Sequence, residues 1–403
     1  MDDFRISPLL NGQFLVVEGM MYVSAGNYNG LFTVDIANGK LEFVGKFLQQ
    51  GNFDIELFTI KEYERKLIFV PQYAREAAIY DRNLKQIEEI PLKELINTDP
   101  ATISTSVIIN HKLYMFPAKA RSIIIYDLQN KEITDVLGLA DKFKAVLKQD
   151  YISLGATDTY YMYEDKLYVT CWRHSALMSL DINNKSIAFY PITGHEEGFC
   201  ALCGQGEVLY ALNRNGKLIK WDVVAQKTLE TAVVIPEEDS AEYYRKLFII
   251  DDYIYAVSHT SVLRVIKIDI DTLQITESLT EKFLGFCKGC PEETIYFGCV
   301  SGTQLYCYTD RNQYLCIDLK HEKMEWKRKV IFDSEKLRRI ILDEESISER
   351  GKIISETEAV TIKELMFMMR GRSTMAKVEK SGTGEKIHKE IIGNNKSYRW
   401  SKK

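Results

Sequence analysis

The chain has 403 residues, 46% apolar and 27% charged, with a formal net charge of -5 at pH 7. That is enough apolar material for a large core, and the wrong overall field for binding a nucleic acid. The opening "MDDFRISPLL" lacks the basic and then apolar run of a secretion signal, no apolar stretch approaches the ~18 residues of a membrane span, and all eight cysteines lie beyond residue 170, so they are expected reduced in a cytoplasmic protein.

From the N-terminus one unit recurs seven times. An aliphatic residue followed by Tyr or Ile opens an apolar run; a polar turn, a second apolar run ending in Asp, a tight turn and a third run follow. The opening pairs are Met21-Tyr22, Leu67-Ile68, Leu113-Tyr114, Leu167-Tyr168, Leu209-Tyr210, Ile254-Tyr255 and either Ile295-Tyr296 or Leu305-Tyr306. The closing residues Asp35, Asp81, Asp127, Asp181, Asp222, Asp269 and Asp318 lie about 47 residues apart on average, the length of a four-stranded blade in a toroidal repeat. Runs such as "SIIIYDL", "KLYVTCW" and "VLRVIKIDI" are β-branched, aromatic and too short for helices, while "DIANGK", "DINNK" and "NRNGK" supply hairpin residues that tolerate positive φ.

These units predict an all-β fold, a seven-bladed β-propeller over residues 9–330 whose blades cover one another's faces. An open solenoid is the alternative. The seventh unit has two strand-like runs, "TIYFGCV" and "QLYCYTD", where the others have one, so an extra strand or a shifted blade boundary is expected there.

Individual units resemble known repeats. "DIANGKLEF" (Asp35 to Phe43) and "DLKHEKMEW" (Asp318 to Trp326) are similar to the Asp-x-x-x-Gly-Lys-x-x-Trp pattern of quinoprotein-type repeats, with Gly only in the first and Trp only in the second. The stretch from Gly194-His195 to Trp221-Asp222 resembles a WD-type repeat, a combination missing from the other six units. As a whole the blades resemble the kelch-like and quinoprotein-like propeller superfamilies. These motifs are structural in their own families, so the resemblance implies a fold and no cofactor.

Residues 331–403 differ in kind. Thr361-x-x-Glu364 reads as a capping box opening a short helix, and Ile387, Ile391 and Ile392 share one side of a second. Leu365, Met366 and Met369 are expected to dock against the ring, with a partner-binding helix as the alternative. The last residues form a basic tail.

Chemistry is thin. Cys200/Cys203 and Cys287/Cys290 form two Cys-x-x-Cys elements, but on a strand residues three apart alternate faces, whereas zinc needs thiolates that converge; packing residues are expected and no metal. No nucleophile elbow, zinc-protease helix, Walker loop or dinucleotide fingerprint occurs. His111, His321 and His388 lie in turns or the tail, which leaves His174, His195 and His259.

The turns joining each unit's first and second apolar runs carry a more coherent signal. They hold Arg75, Lys119, Arg121, Arg173, Arg214 and Arg311 with Tyr28, Tyr73, Trp172, His174 and His259, a set that would ring one face of an acidic molecule with cations and aromatics. Arg suits carboxylate or phosphate, and a flat ring suits a sugar or peptide plane. The expected function is a non-catalytic binding or scaffold propeller for a small anionic or carbohydrate-like ligand or an acidic protein segment, with no membrane and no nucleic-acid partner. Two alternatives stand beside it. One is a solvated rim in which Asp158, Glu196, Glu197 and Glu242 neutralise the cations; the other is a lyase or hydrolase using His174 or His195 with Glu197.

Overall fold

The computed structural model describes residues 14–333 except 26–29, 48–56, 75, 91, 93–102, 121, 148–151, 155–157, 194–196, 236–243, 259–262, 286–294 and 310–312. Seven four-stranded antiparallel sheets form a ring, a seven-bladed β-propeller. Blade 1 is β1 (Phe14–Val17), β2 (Met20–Ala25), β3 (Gly30–Asp35) and β4 (Leu41–Lys46), and blade 2 is β5 (Leu57–Tyr63), β6 (Lys66–Tyr73), β7 (Ala77–Asp81) and β8 (Gln86–Ile90). Blade 3 is β9 (Ile103–Ile109), β10 (Lys112–Pro117), β12 (Ser122–Asp127) and β13 (Glu132–Gly138). Outside it, β11 (Lys119–Ala120) pairs with β14 (Ile152–Ser153), and α1 (Ala140–Leu147) leads onward. Blade 4 is β15 (Tyr160–Tyr163), β16 (Lys166–Thr170), β17 (Ala176–Asp181) and β18 (Ile187–Pro191), and blade 5 is β19 (Phe199–Gln205), β20 (Val208–Asn213), β21 (Lys217–Asp222) and β22 (Lys227–Val233). Blade 6 is β23 (Tyr244–Ile250), β24 (Tyr253–Ser258), β25 (Val265–Asp269) and β26 (Ile275–Ser278), followed by the short α2 (Thr280–Leu284). Blade 7 is β27 (Ile295–Ser301), β28 (Gln304–Thr309), β29 (Gln313–Asp318) and β30 (Lys323–Lys329).

The recurring pair has a geometric meaning. Successive side chains on a strand point to opposite faces, so the two members of each pair enter different interblade layers. Leu113 packs between blades 2 and 3 and Tyr114 between 3 and 4; Leu167 enters the 3–4 layer and Tyr168 the 4–5 layer; Leu209 and Tyr210 repeat the pattern one blade on. Neighbouring first strands touch one another and so line the axis. Fourth strands form the rim, where β22 and β26 are exposed almost throughout.

The recurring aspartates each build the same hairpin at the end of the third strand. The Oδ1 of Asp81 accepts the backbone N–H groups of Asn83 and Leu84 at 2.9 and 3.0 Å, and Asp127, Asp181, Asp222, Asp269 and Asp318 hold their own second and third following N–H groups in the same way. In blade 1, Asp35 takes the N–H of Ala37 and the side-chain amide of Asn38. Four residues after each Asp the chain has positive φ, at Gly39, Lys85, Lys131, Lys185, Gln226, Leu273 and Glu322. Only one of the seven is glycine.

Two expectations need correction. The seventh blade has no extra strand: "TIYFGCV" is its axial strand β27, equivalent to β19, and Leu305-Tyr306 on β28 is the repeated pair. The two cysteines of blade 5 do not alternate faces, because β19 bulges between Phe199 and Ala201, and Cys200 and Cys203 both enter the 5–6 layer. The expected helical extension, with Thr361, Leu365, Met366 and Met369, lies outside the described residues.

The ring closes where blade 7 meets blade 1. Phe14 packs edge-on against Tyr308 and Tyr314, and Ile331 bridges to the hairpin of blade 1, accepting from Leu41 N–H and donating to Gly39 O at 2.8 Å each. Among the described residues no strand is exchanged between blades.

Candidate functional site

The face formed by the second-to-third-strand turns is described in part. Tyr28, Arg75, Arg121, His195, His259 and Arg311 lie outside the described residues, as do the side chains of Tyr73 and Lys119, Glu196, Glu242 and the pair Cys287/Cys290. Blades 4 to 6 supply the rest.

There the chain entering blade 5 threads tightly past the blade 4 turn. Phe199 N–H donates to Cys171 O at 2.9 Å, and Arg214 N–H donates to Gly198 O at 3.0 Å. A Cβ on Gly198 would sit 2.0 Å from the carbonyl oxygen of Trp172, so only glycine fits. This threading delivers Glu197 to Arg214, whose Nη1 donates to Glu197 Oε2 at 3.2 Å. The Arg214 guanidinium also lies over the Trp172 indole, 5.1 Å from its centroid, and Arg245 from β23 lies over the same ring at 4.8 Å. Each such contact contributes about 0.5–1 kcal/mol at an exposed site.

Arg173 is exposed beside them. His174 is half-buried, its pKa held below the usual histidine value by burial and then by the Arg173 charge, so its imidazole is neutral at pH 7. Arg245 was not among the residues singled out from the sequence. It sits in a bulge of an axial strand, between Tyr244 and Lys246, where alternation does not give its direction.

A second cluster lies on the axis. Asp158, just before β15, turns inward with φ +46° and its N–H on Ser104 O at 2.9 Å. Lys61 of β5 donates to both carboxylate oxygens at 2.9 Å, and Lys246 of β23 donates to the Asp158 backbone carbonyl at 3.0 Å with Oδ2 at 3.6 Å. One aspartate thus ties together blades 2, 4 and 6. Of the side chains, 18% of Lys61, 11% of Lys246 and 9% of Asp158 is exposed, so the charges are largely desolvated and each depends on the others. Burial draws the Lys246 pKa down, the Asp158 charge raises it, and the Lys61 charge lowers it further.

These residues line a cavity of about 560 Å³ between the axial strands of six blades. The sequence carries a faint signal for it: Lys61 in "LFTIKEY" and Lys246 in "YRKLFII" interrupt apolar runs that become axial strands. Among the described residues, Asp158 forms its ion pairs with Lys61 and Lys246. Among the described residues, no group of three or more His, Cys, Asp or Glu converges as a metal site, and no helix is long and apolar enough to cross a membrane.

No family model matches the chain, and no curated protein matches it in sequence. Among solved structures it is similar to the computationally designed Ika8 protein, at 10% identity and TM-score 0.51 over 81% of this chain and 88% of that one. It is also similar to apo AztD from Citrobacter koseri, at 12% identity and TM-score 0.44 over 79% and 86%. At such identities the likeness concerns the fold.

Proposed function

We infer that this protein is a non-catalytic binding propeller that takes an anionic or carbohydrate-like ligand, or an acidic protein segment, at the turn face of the ring. The observation that carries this reading is Trp172 with a guanidinium over it from Arg214 and another from Arg245. The two guanidiniums place two cationic groups against one aromatic ring, chemistry that suits a carboxylate or phosphate lying beside a planar group. Arg173 extends the cationic surface.

A thermal-shift screen over sugars, sugar phosphates, nucleotides and short acidic peptides tests it, since a ligand of the folded state raises stability by mass action. The expected hit is an anion whose binding weakens with salt and loses about 1–3 kcal/mol in Arg245→Ala or Arg173→Ala. A hit indifferent to these substitutions and to Trp172→Ala would remove the site from this face. The alternative, a lyase or hydrolase at the same mouth, draws support from the neutral imidazole of His174. It is weakened by Glu197, the companion carboxylate, being already engaged by Arg214.

A further inference from the structure

The axial cavity is a second candidate site, separate from the turn face. Its volume of about 560 Å³ falls within the roughly 300–1,000 Å³ of small-molecule sites. Its wall is chemically divided. Ile60, Leu202, Leu247 and Phe297 contribute apolar surface, while Lys61, Lys246 and Asp158 form a compact charged patch. Two ammonium groups against one carboxylate leave that patch with one surplus positive charge, held on largely buried side chains; Glu62, which also lines the cavity, is paired with Arg82.

We propose that the axial cavity binds an amphipathic monoanion, a carboxylate with an apolar body, whose head joins Lys61 and Lys246 and whose body lies along the aliphatic and aromatic wall. Asp158 shows how a carboxylate is held there: Lys61 donates to both of its oxygens, and Lys246 meets the same residue from the opposite blade. A single added negative charge balances the patch, whereas a dianion would overcompensate it. The threefold arrangement also fits a carboxylate better than a cation, since any cation would have to share Asp158 with two ammonium groups already engaged.

The inference does not rest on the turn-face reading, and the test separates the two. Calorimetric titration with decanoate, decanol and decylamine compares one apolar body under three head groups. The full chain should bind decanoate about tenfold or more tightly than decanol and should not bind decylamine measurably, because a charge-assisted hydrogen bond is worth about tenfold or more in affinity. Lys246→Met and Lys61→Met should each weaken decanoate about tenfold while leaving decanol unchanged, and Trp172→Ala should change neither. Equal affinity for decanoate and decanol, no binding of either, or variants that lose both alike would overturn the proposal. The head-group comparison on the unaltered chain decides it even where a lysine variant does not fold.

Discussion

A missing side chain seals the ring. The Phe14 ring occupies the space a Cβ at position 298 would need, at 1.7 Å, and its edge-on contacts to Tyr308 and Tyr314 leave it little room to withdraw. Gly298→Ala should therefore cost about 1–3 kcal/mol in urea unfolding, as overpacking of a filled layer does. Phe14→Leu in the same chain should recover part of that loss. If the two changes instead add independently, the cost comes from the bulged backbone of β27 and not from the ring contact. A separate position is held at a backbone cost: Lys85 is exposed, with φ +55°. Lys85→Gly should raise stability by ~0.5–1 kcal/mol, because glycine adopts this conformation without a Cβ clash; chemical denaturation at constant m-value would show it.

At the scale of the hairpin, the same carboxylate is used seven times, and in blades 2, 3 and 6 its titration makes the fold acid-sensitive. The pKa values of Asp81, Asp127 and Asp269 are lowered chiefly by the backbone N–H groups of Leu84, Asn130 and Thr272. A carboxylate depressed on folding stabilises the native state above its unfolded value of about 3.9, and that contribution is lost as pH falls through the lower folded value. Melting temperature should thus be insensitive to these groups from neutral pH to about pH 4 and fall below it. Asp81→Asn, Asp127→Asn and Asp269→Asn combined should flatten that acid limb, since the amide oxygen still accepts but no longer titrates. An unchanged acid limb would assign the loss to other carboxylates.

These hairpins were legible in the sequence because their chemistry is local: an Asp, two N–H groups and a positive-φ residue lie within five positions. The Leu-Tyr pairs were legible for a related reason, since alternation converts adjacent positions into two layers. What alternation cannot supply is a bulge. Cys200 and Arg245 both sit at such irregularities in axial strands, so one was assigned the wrong face and the other was missed. Nor does local pattern reveal that Lys61 and Asp158, 97 positions apart, meet on the axis. In the seventh blade, a repeat that is conspicuous only in its second strands makes the axial strand β27 look supernumerary.

At the scale of the whole molecule, blades that are not neighbours are joined through Asp158, while neighbours are joined by apolar layers. Because every blade draws its four strands from one continuous stretch, the seam between blades 7 and 1 relies on the same kind of packing as the other six, supplemented by the bridge at Ile331. A circular permutant that links residue 333 to residue 14 and opens the chain between blades 5 and 6 should keep the far-UV spectrum and a single melting transition. A permutant that aggregates or melts in two steps would show that the covalent link between those blades is needed for the ring to close.

The strand order has a mechanical consequence as well. The ring's first strand lies on the axis and its last, β30, lies on the rim, so the two ends of the propeller would resist force differently. Load applied through residue 333 peels β30 away as a zipper, breaking its hydrogen bonds to β29 one after another. Load applied through residue 14 must draw β1 out from between β2 and the faces of blades 2 and 7 together. In an optical trap, with a fixed anchor in blade 4, the first rupture should come at lower force from the rim end than from the axial end, a difference set by unfolding rates that equilibrium melting does not register.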